Sequence, residues 1–330
     1  MSVFAVPGRA NLIGEHTDYN DGLSLPFALE MTVRAMVQPS SDANTHLIAR
    51  GFGQWSTAEP ATEPWQRQAQ AVFALTQPPP VTIEVRSDVP VGAGLSSSAA
   101  YVSALALASG AHGELFELSR LVQRAEADAG SAVGLLDPLA VLGAHRDHLL
   151  LVDFADESVA DVGWPPGLFC TAVHSGISRS LAETNYQGRR AECAVARDLL
   201  GGWASSTPAR VEQITDDTLR RRARHVVSER DRVLDTVKAL RRGDVESVGQ
   251  LVSESHESLS WDFQVSTHEI DDLVRDLCDD AGVYGARLIG GGFGGCVLVV
   301  HEQRWTPPPQ RPSWALRPTD GALARVTRDT

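Results

Sequence analysis

The chain has 330 residues, 43% of them hydrophobic, and a formal net charge of −13 at pH 7. That length suits two domains or one large one, with apolar side chains enough for a sizeable core. The acidic balance argues against nucleic acid or an anionic membrane as the main partner, since both demand a basic face, but leaves room for an anionic substrate in a locally positive pocket.

No cationic, apolar leader opens the chain and no run of about 18 apolar residues follows, so a soluble, cytoplasmic protein is expected. Cys170, Cys193, Cys278 and Cys296 lie far apart and form no CxxC pair, which argues against a zinc knuckle or a disulfide framework. Residues 8–22, GRANLIGEHTDYNDG, place Arg9, Glu15, His16, Asp18 and Asp21 between glycines. The spacing is not HExxH and no second histidine is near, so a transition-metal site is not expected. Carboxylates accept from vicinal hydroxyls and imidazole can donate or accept, so such a Gly-bounded loop suits a polyhydroxylated ligand.

Residues 81–90 alternate in period two and read as a strand; residues 97–111, rich in Ala and Leu, read as a helix. Between them, PVGAGLSSSAA (90–100) puts a Gly-rich turn at a helix N-terminus. Glycines let backbone N–H groups converge on an anion, and the helix end adds positive potential. A tight turn with serine caps explains the same residues, and local evidence leaves both readings open. No GxxxxGKS or GxxxxGKT occurs, so this is no P-loop, and GGGFGG (290–295) precedes a strand where a dinucleotide fingerprint opens a helix.

A helix is expected over 118–130, with Glu126 on its own reading as a surface acid. Asp137 sits in the apolar stretch VGLLDPLAVLG (133–143), either as a cap before Pro138 or as a buried carboxylate. A buried carboxylate needs a partner, and Arg9 is the candidate. Strands are expected at 148–154, 168–176 and 296–300, and helices at 189–202, 216–242, 244–260 and 268–282. The many charges of 216–242 read as a solvated face. TPPPQRPSW (306–314) reads as a semi-rigid surface segment. The order is α+β with two lobes, and VGWPPG (162–167) marks a boundary within 155–167, which divides the chain into 1–160 and 161–330.

Three motifs in this order, PGRANLIGEHTDYNDG (7–22), PVGAGLSSSAA (90–100) and ARLIGGGFGGCVLVV (286–300), resemble those of the GHMP small-molecule kinases. The first is similar to the galactokinase signature in particular. HSGISRSLAETNYQGRRAEC (174–193) and RARHVVSERDRV (222–233) extend that resemblance over nearly the whole chain. It implies a two-lobed GHMP kinase fold with the active site between the lobes. The activity it implies is ATP-dependent phosphorylation of galactose at the C1 hydroxyl, as in galactose catabolism, by a monomer.

On the matching positions, Gly92, Ala93, Gly94, Leu95, Ser96, Ser97 and Ser98 would cradle the ATP phosphates, and Ser98 and Glu126 would hold Mg²⁺. Asp137 would be the catalytic carboxylate and Arg9 its charge partner. Glu15, His16, Thr17, Asp18 and Tyr186 would line the sugar pocket, and Gly290 to Gly295 would shape the site. The chain departs from the family pattern at Pro138 (usually Gln), Ile289 (usually Thr), and Tyr101 and Val102 (commonly Leu-Glu), and only six residues precede Pro7. A related kinase for another sugar or for mevalonate, and a galactose- and ATP-binding regulator without turnover, are the alternatives. A nicotinamide oxidoreductase is a distant one.

Overall fold

The computed structural model describes residues 2–131, 133–177 and 182–326. The first half runs β1 (Ser2–Asn11), β2 (Leu23–Ser24), β3 (Pro26–Pro39), β4 (His46–Ala49), β5 (Gly53–Ser56), α1 (Pro64–Thr76), β6 (Val81–Ser87), α2 (Ser97–Ala108), α3 (Leu115–Asp128), α4 (Leu136–Gly143), β7 (His148–Asp153) and β8 (Ser158–Gly163). The second runs β9 (Phe169–His174), α5 (Ala182–Leu200), α6 (Pro208–Val211), α7 (Asp217–Arg242), α8 (Val245–Trp261), α9 (His268–Cys278), β10 (Val283–Leu288), β11 (Cys296–His301), β12 (Ser313–Leu316) and α10 (Ala322–Val326).

The strands form three sheets, ordered β1-β3-β6-β4-β5, β10-β11-β9-β12 and β2-β7-β8. Every pairing is antiparallel except β4 with β6. Helix α2 lies in the middle of the first half: nine of its residues, Ala99 to Ala108 apart from Tyr101, are buried. A helix apolar on all sides must be enclosed, and its alanines let α3, α4 and β1 approach closely. Near the other end of the chain, Thr319 bridges to Ala28 of β3, so the last described segment returns to the first sheet.

Several boundaries differ from the sequence expectation, each for a local reason. The strand expected to Pro90 ends at Ser87, where Asp88 N–H turns to Thr32 O at 2.9 Å and Val89 N–H to the Ser87 hydroxyl at 3.1 Å. Helix α2 stops at Ala108 because Gly110 takes φ 89° and Ala111 N–H closes back on Ala106 O. Helix α3 begins three residues early, at a reciprocal capping box of Glu114 and Glu117. Helix α5 begins at Ala182, well before 189. Helix α9 stops at Cys278, short of 282. Helices α7 and α8 open where expected, capped by Asp216 and Asp244. Strand β8 occupies part of 155–167, the stretch expected to break the pattern.

Two readings of charge are overturned. Glu126 is not a surface acid: it is 1% exposed. Helix α7 does not present all its charges to water, since Arg222, His225 and Glu229 are buried at 1%, 0% and 0% exposure.

Candidate active site

Arg9 lies at the end of β1, not in a loop, and points toward α4 and the turn before α2. Its Nε meets Asp137 Oδ1 at 2.7 Å, its Nη2 meets the same oxygen at 2.6 Å, and its Nη1 donates to Gly94 O at 2.6 Å. Ser96 Oγ donates to the other carboxylate oxygen, Asp137 Oδ2, at 2.5 Å. Asp137 stands in the first turn of α4, one residue after its first member Leu136. Pro138 therefore occupies a position whose N–H has no intrahelical acceptor anyway, and the departure from the family's Gln removes no helix bond.

The turn at 91–96 carries left-handed backbone at Gly92 (φ 76°), Gly94 (φ 82°) and Ser96 (φ 61°). Gly92 is exposed, while Ala93, Gly94 and Leu95 are buried. Leu95 O accepts the Arg9 N–H at 3.1 Å, so β1 and the turn are laced through both backbone and side chain. Ser97 and Ser98 start α2 at the edge of a cleft. Ser98 Oγ donates to Glu126 Oε1 of α3 at 2.6 Å. Glu126 Oε2 is buried without a protein partner among the described residues. Burial pushes this carboxyl up to about 7, with Asp137 adding to the shift and the Ser98 hydrogen bond opposing it.

The second group gathers at residues 14–19. Glu15 is 3% exposed, and its Oε1 accepts from Gly290 N–H at 2.8 Å and from Arg287 Nη2 at 3.1 Å. His16, with φ 61°, packs against Phe263, Tyr186 and Tyr19, and its Nδ1 lies 2.8 Å from the Tyr19 hydroxyl. Its Nε2 is buried without a protein partner among the described residues. Burial, with His225 nearby, holds the imidazole well below its ordinary range, hence neutral.

Asp18 seats its carboxylate against Gly134, where a Cβ would stand 1.4 Å from Oδ2; only glycine leaves that socket open. Burial and the facing Asp137 push Asp18 up to about 6, against Arg190 and the Leu136 N–H. Tyr186 closes the group, 5.5 Å from the Tyr19 ring and beside Gly291. Thr17 does not join it: its hydroxyl is fully buried against Gly14 O, Leu23 O and Ser24 Oγ, which makes it a staple of the loop. Of the motif at 174–193, residues 178–181 lie outside the described residues.

Gly292, at φ 79°, passes so close to Val265 that a Cβ would meet its carbonyl oxygen at 2.3 Å, and Phe293 N–H bonds that same oxygen at 2.8 Å. This holds the glycine turn over residues 15–16. Ile289 is fully buried in the main core.

The structure also supplies residues that the sequence reading did not single out. Arg287, fully buried on β10, bonds Leu12 O at 2.8 Å and Asn11 O at 2.6 Å as well as Glu15. On α7, Glu229 accepts Gly14 N–H at 3.0 Å and His225 Nε2 donates to Glu15 O at 3.1 Å. Their spacing with Arg222, three and seven residues apart, puts all three on one face of the helix, which was a readable signal. A cleft of about 560 Å³ beside Ser97 and Ser98 is lined by Phe52, Trp65, Gln68, Val91 and Tyr101. Its walls come from separate segments and leave no linear motif. Among the described residues, no three His, Cys, Asp or Glu side chains cluster in a way that could hold a metal. Any cation here would lean on two protein oxygens and the ligand's own.

Comparison with known proteins agrees with this arrangement. Residues 2–39 match the galactokinase galactose-binding signature, 65–144 the GHMP kinases N terminal domain and 236–305 the GHMP kinases C terminal family. A galactokinase of Roseiflexus sp. (strain RS-1) is 36% identical over 91% of this chain and 83% of its own. The galactokinase of Homo sapiens is 35% identical over 93% and 85%. Among solved structures, Lactococcus lactis galactokinase complexed with galactose aligns with a TM-score of 0.89, at 24% identity over 97% and 94% of the two chains. Mevalonate kinase of Methanococcus jannaschii aligns at 0.70, with 15% identity over 97% and 98%. Mixed sheets and helices in this arrangement are the GHMP kinase fold, and the chain belongs to the galactokinase family, whose members use ATP as co-substrate.

Proposed function

We propose that this protein transfers the γ-phosphoryl group of ATP to the C1 hydroxyl of galactose, giving galactose 1-phosphate and ADP. The observation that carries the reading is one constellation. Asp137 is gripped by Arg9 and Ser96, next to a Gly-rich turn and the Ser98–Glu126 pair, and it faces Asp18 of the polar group at residues 15–18. Phosphoryl transfer asks chiefly for positioning and for charge stabilisation at the oxygens.

Each part has a task. The N–H groups of the turn and the start of α2 hold the phosphates, and the adjacent cleft takes the base against Trp65, Phe52 and Tyr101. Asp18, His16, Tyr186 and Glu15 hold the sugar hydroxyls. Asp137 takes the C1 proton as oxygen bonds to phosphorus and the bond to ADP breaks. Arg9 pairs with the Asp137 carboxylate and balances negative charge on the transferring group. Glu126 Oε2 and the Ser98 hydroxyl fit Mg²⁺, which prefers a few hard protein oxygens with phosphate and water completing its shell. When bound, that ion neutralises phosphate charge.

The finer expectations belong to the same proposal: a division at 160/161, a monomer and a cytoplasmic location. The described cysteines are all free, as suits a reducing compartment. No described helix is long and apolar enough to cross a membrane.

The test is ADP release with Mg²⁺-ATP against galactose, glucose, N-acetylgalactosamine, arabinose and mevalonate, with Asp137→Asn alongside. Galactose-selective turnover is expected, falling roughly 10²–10⁴-fold in the variant if Asp137 is a general base. Silence across the panel, with galactose and ATP still binding by calorimetry, would replace the enzyme by a sensor.

A further inference from the structure

Ser98 has a second side-chain partner from a third element. Gln68, on α1, donates from Nε2 to Ser98 Oγ at 2.7 Å, and Ser98 Oγ donates to Glu126 Oε1 at 2.6 Å. A hydroxyl has one hydrogen and two acceptor lone pairs. Here the hydrogen goes to Glu126 and one lone pair takes the Gln68 N–H, which leaves a single lone pair. An amide nitrogen only donates, so Ser98 cannot turn its hydrogen toward α1. The opposite amide orientation would set Gln68 Oε1 against a hydroxyl whose hydrogen is already engaged. With Glu126 ionised, the relay runs one way, from α1 through α2 to α3. Tyr101 adds a second tie between α2 and α1, its hydroxyl donating to Trp65 O at 3.0 Å.

We propose that Gln68 is a positioning residue for the cation: it fixes the Ser98 hydroxyl so that its remaining lone pair and the unpartnered Glu126 Oε2 stand ready for Mg²⁺. The inference rests on the kinase reading above. Without the Gln68 donor, only the bond to Glu126 restrains the Ser98 hydroxyl, and the cation must supply the rest of the restraint on binding. Partners that orient a metal ligand typically change affinity by about 10–100-fold when removed.

The experiment uses Mn²⁺ as the probe, read by electron paramagnetic resonance with ADP present, on the full chain. Gln68→Leu keeps most of the side-chain volume and removes the donor; Gln68→Glu replaces the donor with an acceptor that competes for the Ser98 hydrogen. Both are expected to weaken Mn²⁺ binding, Gln68→Leu by about tenfold. The Mg²⁺ concentration for half-maximal activity should rise in step, while the KM for galactose stays unchanged. In a Ser98→Ala background, Gln68→Leu should have no further effect on Mn²⁺, because it acts through the hydroxyl that is gone. Unchanged Mn²⁺ affinity in Gln68→Leu overturns the proposal. So does an equal loss of ADP affinity measured without metal, which would make Gln68 a nucleotide contact. A wild-type chain with no galactose-dependent ADP release sinks the kinase reading instead, and the Mn²⁺ titration still decides the role of Gln68.

Discussion

Asp18 and Glu126 are carboxylates kept where a carboxylate is unfavourable. Burial raises Asp18 to about 6 and Glu126 to about 7, with Asp137 adding to both. The folded chain thus holds protons on these groups at pH values where the unfolded chain has released them. Stability from this source is present at about pH 4 and is lost as pH rises through 6 and 7. Asp18→Asn and Glu126→Gln should therefore each stabilise the protein at pH 8, by on the order of 1–3 kcal/mol, and give little gain near pH 4. Thermal melts at the two pH values measure this, and a variant less stable than wild type at pH 8 would contradict it. Both variants should also lose turnover, since the proposed mechanism uses the same carboxylates.

At the scale of elements, α7 does more than pack. Its buried face holds the backbone of residues 14–15 through Glu229 and His225. Burial by itself would raise Glu229, but Arg232, His225, the Ser255 hydroxyl and Arg287 together bring it down to about 2. Arg232 Nε lies 2.7 Å from Glu229 Oε2 and Ser255 Oγ donates to Oε1 at 2.6 Å, so the carboxylate is fully engaged. Glu229→Ala leaves the partly buried Arg232 guanidinium and the Gly14 N–H without this partner, and should destabilise by about 3–5 kcal/mol in urea unfolding. It should raise the KM for galactose more than that for ATP, because the loop it supports carries the residues proposed to meet the sugar. A rise confined to ATP would refute this role for α7. Periodicity alone located α7 to within a residue, yet a charged face reads the same whether water or a loop lies against it. That distinction needs the partner, which is more than 200 residues away in sequence.

Across the whole molecule, Arg287 ties the two largest sheets together. It sits on β10 and bonds Asn11, the last residue of β1, then Leu12 and Glu15 beyond it. The main core likewise runs through residues of both halves, from Val6 and Phe27 to Val248 and Leu298. Arg287→Met removes three contacts and leaves Glu15 buried beside an apolar chain. Galactose binding should be lost or weakened by about tenfold or more by calorimetry, while ADP binding, proposed to rest on α2 and the turn before it, persists. Equal loss of both ligands would mean that Arg287 supports the fold and not the sugar side in particular.

The sequence by itself determined the family, most of the helices and the pairing of Arg9 with Asp137. Those follow from short-range spacing, from motif order, and from the rule that a carboxylate in an apolar stretch needs a counter-charge. It also brought Glu15, His16, Asp18 and the serine turn into view, because each sits in a dense local cluster. Only the tertiary structure decided that Thr17 faces inward, that Glu126 is buried, that Arg287 and α7 hold the segment at residues 11–15, and that Gln68 reaches Ser98. The physical reason is common to all of them. Burial and hydrogen-bond partnership are properties of pairs brought together from distant segments, and a linear pattern reports only a residue's own neighbours.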